Sequence, residues 1–503
     1  MMQRSKRCWL PLVAAVALLS AGEASAAPDA GVSVAVLPFT NISGDVNQEP
    51  LADGFTEELA ATLAKIPALN VGARSSAFRF KATPRDRKAV GQALNKTYLV
   101  EGTFRLRNGR IGALVRLMRV ETGDQLWYED YDEAFSNVFD LEETIAKAVA
   151  DALRAPLPAG ERLVANRTTK MDVYENYLRA KPLIRARGQK PFADAAVLLE
   201  QAVASDPNFS PAVALLAFDY DLAPLYQQAL RSGVAREARV FVDSVVPKAE
   251  RLAQRATELD GKRVEGFVAL AYAHMVQSHL LKTDELFRQA LALDGNNTDA
   301  LHGYSQLLAA EGRVKESLEM RKKLQALEPF VINYVADTAE IFWLDGDNDT
   351  AIKMLNDFRP GRTSELAQVH ASLGHYRDAA GVLREMPATN YGPGLLESAA
   401  HLLETAPTKT ASPESLPRLG NLGFVYLHIG APERALEYYE SNYEAGYFQP
   451  ISTTWFWHPS YAAVRKTERF KAYVRAIGLD EVWRARGWPA QCKPSSDKDF
   501  ACN

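Results

Sequence analysis

The sequence predicts an α+β domain of element order βαβαβββα, followed by an all-α solenoid of paired helices. Three observations predict it. β-prone runs and an Asn-Gly turn are confined to residues before about 155. Beyond about residue 170, apolar side chains recur every three or four positions, the period of a helix buried on one face. Within that second region small residues return at intervals of 34. The 503 residues, 47% hydrophobic and 24% charged, suffice for more than one hydrophobic core and have ordinary globular composition.

At the amino end Arg4, Lys6 and Arg7 precede a short apolar run from Cys8 to Leu19, and Ala24-Ser25-Ala26 follows. This is the pattern of a secretory signal spanning residues 1–26 and cut after Ala26, with a run too short to cross a bilayer. The mature chain is then expected in the periplasm, with no transmembrane segment. Three cations and Glu23 leave with the signal, so the formal charge moves from −4 to −6. A mildly acidic exported chain is a poor candidate for nucleic acid.

Residues 31–155 form the first unit. Ser33 to Phe39 reads as a buried strand, and Leu51 to Ile66 as a helix with Phe55, Leu59, Leu63 and Ile66 on one face, stopped by Pro67. Leu69 to Ala73 is a second strand and Arg87 to Leu94 a short helix. Tyr98 to Leu106 and Ile111 to Val120 flank Asn108-Gly109, a two-residue hairpin signal. Leu126-Trp127-Tyr128 adds a strand. A last helix carries Leu141, Ile145, Val149 and Leu153. The basic stretch Arg74, Arg79, Lys81, Arg85, Arg87 and Lys88 is expected to be a solvated loop.

An ordered series runs through this unit: Val34 to Phe39, Asn41, Ser43-Gly44-Asp45, Leu51-Ala52-Asp53-Gly54, Thr56 to Leu59, Ala73 to Ser76, Tyr98 to Gly102, Glu121-Thr122-Gly123 and Leu126-Trp127. It resembles the TolB N-terminal-like domain, a family related to FlgO. The resemblance implies frequent fusion to tetratricopeptide repeats, and in other members to nucleotide cyclase or winged-helix DNA-binding domains. Neither of those companions is visible in this sequence.

Residues 170–447 carry the repeats. A tetratricopeptide unit is two antiparallel helices in 34 residues, with small side chains where the helices cross. Ala249, Thr283, Ser317 and Ala351 keep that interval, followed seven residues later by Ala256, Ala290, Leu324 and Phe358. Five residues earlier stand Ser244, Ser278, Gly312 and Gly346, where the turn between helices belongs. Phe192 to Pro207, Gly374 to Leu383, and Gly423 to Tyr439 with Ala435 at the crossing fit the same template out of phase. Six or seven repeats are expected, with a longer connection over 387–417. By phase, Phe267, Tyr272, His302, Tyr304 and Asn333 are the candidate groove residues.

Residues 448–503 are expected to cap the exposed end of the solenoid, using Trp455, Phe456, Trp457, Phe470, Tyr473 and Trp483. Cys492 and Cys502 suit a structural disulfide; a redox couple prefers Cys-x-x-Cys.

No Walker A motif, nucleophile elbow, zincin helix or dinucleotide fingerprint occurs. His274/His279 and His370/His375, five apart, fall about 140° around one helix, so no metal is expected. Asp345, Asp347 and Asp349 alternate like a calcium loop, but Thr350 and Asn356 stand where Gly and Glu are needed. The expectation is a non-catalytic scaffold without a cofactor, binding a protein or peptide through the helical groove and the α/β domain. The alternative is a sensory subunit that binds a small ligand, akin to the cyclase-linked members.

Overall fold

The computed structural model describes residues 32–72, 74–81, 86–158, 163–164, 169–357, 363–388, 391 and 393–503. The expected signal segment, Arg85 and Phe358 lie outside them.

The first unit runs β1 (Val32–Val36), β2 (Thr40–Asn41), α1 (Glu49–Leu63), β3 (Leu69–Val71), α2 (Arg87–Ala93), β4 (Tyr98–Arg107), β5 (Arg110–Arg119), β6 (Gln125–Ala134) and α3 (Val138–Ala152). The sheet order is β3-β1-β4-β5-β6, with β2 extending beside β4. β1 is parallel to both neighbours, and β4, β5 and β6 form an antiparallel meander. Asn108 and Gly109 both have positive φ, as the two-residue hairpin turn requires. α1 and α3 bury Phe55, Leu59, Ile145 and Val149 against one face of the sheet. α2 covers the other with Val90 and Leu94.

Six helix pairs follow: α4 (Met171–Ala186) with α5 (Gln189–Ser205); α6 (Ser210–Leu222), then a short α7 (Gln228–Arg231), with α8 (Ala235–Leu259); α9 (Val264–Val276) with α10 (Leu280–Leu293); α11 (Thr298–Ala310) with α12 (Val314–Leu327); α13 (Ile332–Leu344) with α14 (Asn348–Asp357); and α15 (Ser364–Ser372) with α16 (Tyr376–Glu385). The second region is thus an all-α solenoid of tetratricopeptide type. Ala249, Thr283, Ser317 and Ala351 are fully buried on second helices, and Ala435 is nearly so. Gly312 and Gly346 take positive φ at the turns, and Ser278 does so with a side chain.

Two expectations are corrected here. Ser244 is not a turn. It lies inside α8, whose 25 residues start at Ala235, because α6 and α7 already supply the first half of that repeat. The late unit is not a regular α pair either. After α17 (Leu395–Glu404), Gly420–His428 and Pro432–Leu436 are 3-10 turns. Gly423 brings its backbone against Ala435, so the tight crossing survives in a more tightly wound form.

The chain continues through α18 (Glu437–Glu444), α19 (Pro450–Thr454), α20 (Ala462–Arg465), α21 (Glu468–Ala476), α22 (Leu479–Arg486) and a β7 (Cys492–Pro494)–β8 (Phe500–Cys502) ribbon in which Cys492 and Cys502 are bonded. This tail packs Phe456 and Tyr473 against Tyr439 of the last unit, but it is not confined to the end of the solenoid as expected. It folds back across the middle repeats: Phe448 N donates to Val276 O (2.7 Å), Trp457 Nε1 to Ala310 O (3.1 Å) and Trp483 Nε1 to Glu311 O (3.0 Å). These carbonyls close the first helices α9 and α11, where backbone acceptors have no partner within the helix. No helix of the described residues is long and apolar enough to cross a membrane.

Candidate functional site

The α/β domain sits on the opposite side, where first helices begin. α1 crosses α4 at Gly54; a Cβ there would lie 2.7 Å from both Cβ and carbonyl O of Leu178, so only glycine lets the two helices meet this closely. Beside that crossing, Glu58 accepts hydrogen bonds from Tyr177 Oη (2.7 Å) and Lys181 Nζ (2.5 Å). Burial alone would raise the Glu58 pKa, but the Lys181 and Arg263 cations hold it well below the carboxylate range. Further along, Glu328 of the array accepts the backbone N–H groups of Ser75 and Ser76 at 2.9 and 2.8 Å, and Phe80 packs edge-on against Phe330.

Between the domain and the array lies a cavity of about 490 Å³. The last turn of α4, one flank of α6 and the opening turns of α9, α11 and α13 wall it, with Arg74 and Ser75 on the domain side. Tyr177, Phe218, Phe330 and Tyr334 supply aromatic surface. Most of its charges are matched. Lys181 is held by Glu58, Arg185 by Glu57 and by Asp53 (3.4 Å), and Arg263 by Glu265 (3.2 Å). Asp299 accepts the Tyr334 hydroxyl at 3.0 Å.

Arg187 differs. Among the described residues no carboxylate lies within ion-pairing distance and no acceptor takes a hydrogen bond from it; it lies over the rings of Phe192 (5.8 Å) and Phe218 (6.0 Å), with Asp299 acting on it from further away. Its backbone, at φ 56 and ψ 161, occupies a region that side chains rarely adopt. Arg187 and Asn333 also border a second, smaller cavity of about 70 Å³, which the tail closes with Tyr447 and Phe448.

Of the five groove residues expected, Tyr272, His302 and Asn333 border this inner space. His302 lies 3.0 Å from Arg321 and stacks near Tyr334; burial, then the Arg321 and Arg187 charges, keep its pKa well below the usual imidazole value. Tyr304 is corrected: it is buried facing α10, donates to Asp284 (2.7 Å) and packs on Phe287. Two residues from His302 is about 200° of helix, so the pair cannot share a face. Phe267 is likewise half-buried in packing away from both cavities, five residues and about 140° from Tyr272.

The basic stretch is only in part the solvated loop expected: Lys88 is exposed, but Lys81 and Arg87 pair within the α/β domain and Arg79 meets the array. Lys81 pairs with Glu49 (2.7 Å) and Asp53 (2.5 Å), Arg87 with Glu101 (2.6 Å), and Arg79 lies 4.7 Å over Phe330. The histidine geometry is corrected too. Each pair spans a helix–turn–helix, not one helix. His279 N bonds to His274 O and His375 N to His370 O, folding the rings together across Ser278 and Gly374. His274 and His279 are 3.1 Å apart through Nδ1, and ligand atoms of His370, His375 and Asp378 lie within 4.8 Å of one another. The Asp345–Asp349 segment is a polar turn: Asp347 accepts the Thr350 N–H at 3.1 Å, and Lys315 pairs with Asp345.

Sequence reasoning missed Arg187, Arg263 and the tail residues Tyr447 and Phe448. The one local signal was Arg187-Gly188, a break between two helices with no further cue.

No protein-family pattern matches the chain. It is 31% identical over 243 residues to putative adenylate cyclase 3 of Rhizobium meliloti (strain 1021), a match covering 48% of this chain and 40% of that one. The chain thus spans about two fifths of this relative's length. Among solved structures, TTC0263, a thermophilic TPR protein of Thermus thermophilus, is similar at TM-score 0.30 and 14% identity, over 42% of this chain and 99% of its own. The human IFIT1 dimer with PPP-AAAA is similar at TM-score 0.33 and 15% identity, over 61% of this chain and 78% of its own.

Proposed function

We propose that the chain is an exported, periplasmic, non-catalytic interaction protein: a TolB N-terminal-like domain docked on a tetratricopeptide solenoid that holds partner proteins. The observation that supports it is the array itself. Six stacked helix pairs give an extended curved surface, the architecture that repeat proteins use to grip peptides and helices. The partner class is protein or peptide, with no nucleic acid and no cofactor. Fractionation of exporting cells tests the location, and in-cell crosslinking of the full chain tests the scaffold. Recovery of the uncut chain in the cytosol, or capture of no specific protein, defeats the corresponding half of the reading.

One observation favours a second reading, a sensory or regulatory subunit. The inner face is roofed by the α/β domain and crossed by the tail, so the space left is a partly open cavity of small-molecule size. The partial likeness to a putative adenylate cyclase suits that reading.

A further inference from the structure

Resting on the second reading, we infer that the cavity between the α/β domain and the array binds a small organic anion: a carboxylate or phosphate group on a flat apolar body. Arg187 receives the charged group and the aromatic wall receives the body.

The argument starts from charge. A guanidinium offers five donors and no acceptor, and in partly desolvated surroundings it is normally paired. Lys181, Arg185 and Arg263 obey that rule within the same walls. Arg187 and Arg74 line the cavity with no ion pair or hydrogen bond among the described residues. Asp299 acts on Arg187, and Glu328 on Arg74, only from beyond ion-pairing distance, and Asp299 already takes the Tyr334 hydroxyl. The cavity therefore holds two cations without a direct partner, and the opening turns of α9, α11 and α13 on its wall add positive dipole ends.

Position and strain agree. Arg187 borders both cavities. It holds a backbone conformation that suits glycine, and the next residue is a glycine at φ 112. An arginine kept at a strained position, unpaired and facing a void, is placed for something that is not part of the chain. The cavity of about 490 Å³ is large enough for an aromatic acid or aryl phosphate, with Phe218, Phe330 and Tyr334 to enclose the ring.

Calorimetric titration of the full mature chain with phenyl phosphate, phenylacetate, inorganic phosphate and benzyl alcohol tests this. Both aryl anions are expected to bind at least about tenfold more tightly than either inorganic phosphate or the neutral alcohol. Whichever aryl anion binds more tightly separates phosphate from carboxylate as the natural group. Arg187→Met is expected to weaken the aryl anions at least about tenfold and leave the alcohol unchanged, with Arg187→Lys intermediate. Arg187→Gly is the structural control: it relieves the backbone, so the melting temperature holds or rises while binding is lost. Failure of both aryl anions to bind, or equal binding to wild type and Arg187→Met, overturns the proposal. Protein capture by Arg187→Met at the wild-type level would leave the scaffold standing while the ligand proposal fell.

Discussion

Two covers lie over the inner face of the solenoid, and they are built from opposite chemistry. The α/β domain covers its side with charged groups: Lys181 and Arg185, in the last turns of α4, pair with Glu58, Glu57 and Asp53. The tail covers the carboxyl ends with aromatic rings whose N–H and O–H groups donate to backbone carbonyls: Tyr447 to Asp221 (2.5 Å), Trp457 to Ala310 and Trp483 to Glu311. Helix polarity accounts for the tail's choice. Carboxyl ends expose acceptors without donors, and an indole supplies one donor on a large apolar plate. Under the aromatic cover, at Tyr447 and Phe448, lies a cavity of about 70 Å³, and under the charged cover, beside α4, one of about 490 Å³.

The largest expected effect lies in the aromatic cover. Trp483 is almost fully buried against Trp457, Trp488 and Phe500. Trp483→Ala should cost about 4 kcal/mol in urea unfolding. A loss below about 1 kcal/mol would mean that the tail is not integral to the fold.

Next comes the charged cover. Glu58→Gln leaves Lys181 buried beside a neutral amide and should cost about 3 kcal/mol at pH 7. Its pH dependence separates it from packing damage. Because the folded Glu58 pKa is depressed, its stabilisation is present above the unfolded value of about 4.3 and is lost as pH falls below it. The gap between wild type and variant should therefore close in acid, and a gap constant from pH 7 to pH 3 would contradict the assignment. Gly54→Ala forces α1 from α4 and should cost about 2 kcal/mol, with faster proteolysis between domain and array as the second readout. Unchanged stability and proteolysis would show that the crossing is looser than the 2.7 Å contact implies.

The sequence carries the local half of this architecture and little of the other half. Small residues at 249, 283, 317 and 351 repeat because each helix crossing needs close backbone approach, and that requirement is written every 34 positions. The hairpin at Asn108-Gly109 is equally local. The covers are not. Trp457 meets Ala310 across 147 residues and Ser76 meets Glu328 across 252, and no periodicity encodes such pairings. The histidines failed for a related reason: spacing around one helix says nothing when a positive-φ residue folds the chain between them. Tyr272, His302 and Asn333 were readable from phase, whereas Arg187 sits in a break where phase is undefined.

The last comparison tests whether the tail side tolerates charge as poorly as helix polarity suggests. Asp219 and Asp221 lie in the last turns of α6, at the negative end of that helix, buried and without hydrogen bonds to either carboxylate among the described residues. Burial, then the Glu200 charge, pushes the Asp219 pKa up to about 8; burial, then Glu250, pushes Asp221 up as well. The sign follows from linkage. A raised folded pKa gives a contribution that is whole below the unfolded value of about 3.9 and is lost as pH climbs towards 8. Asp219→Asn keeps the shape but cannot ionise. Its stability should match wild type near pH 3 and exceed it progressively as pH rises, by several kcal/mol at pH 9. A variant equally stable at both ends of that range would mean that Asp219 finds a cation or water on ionising. The carboxyl ends of the first helices would then be wetter than their aromatic cover implies.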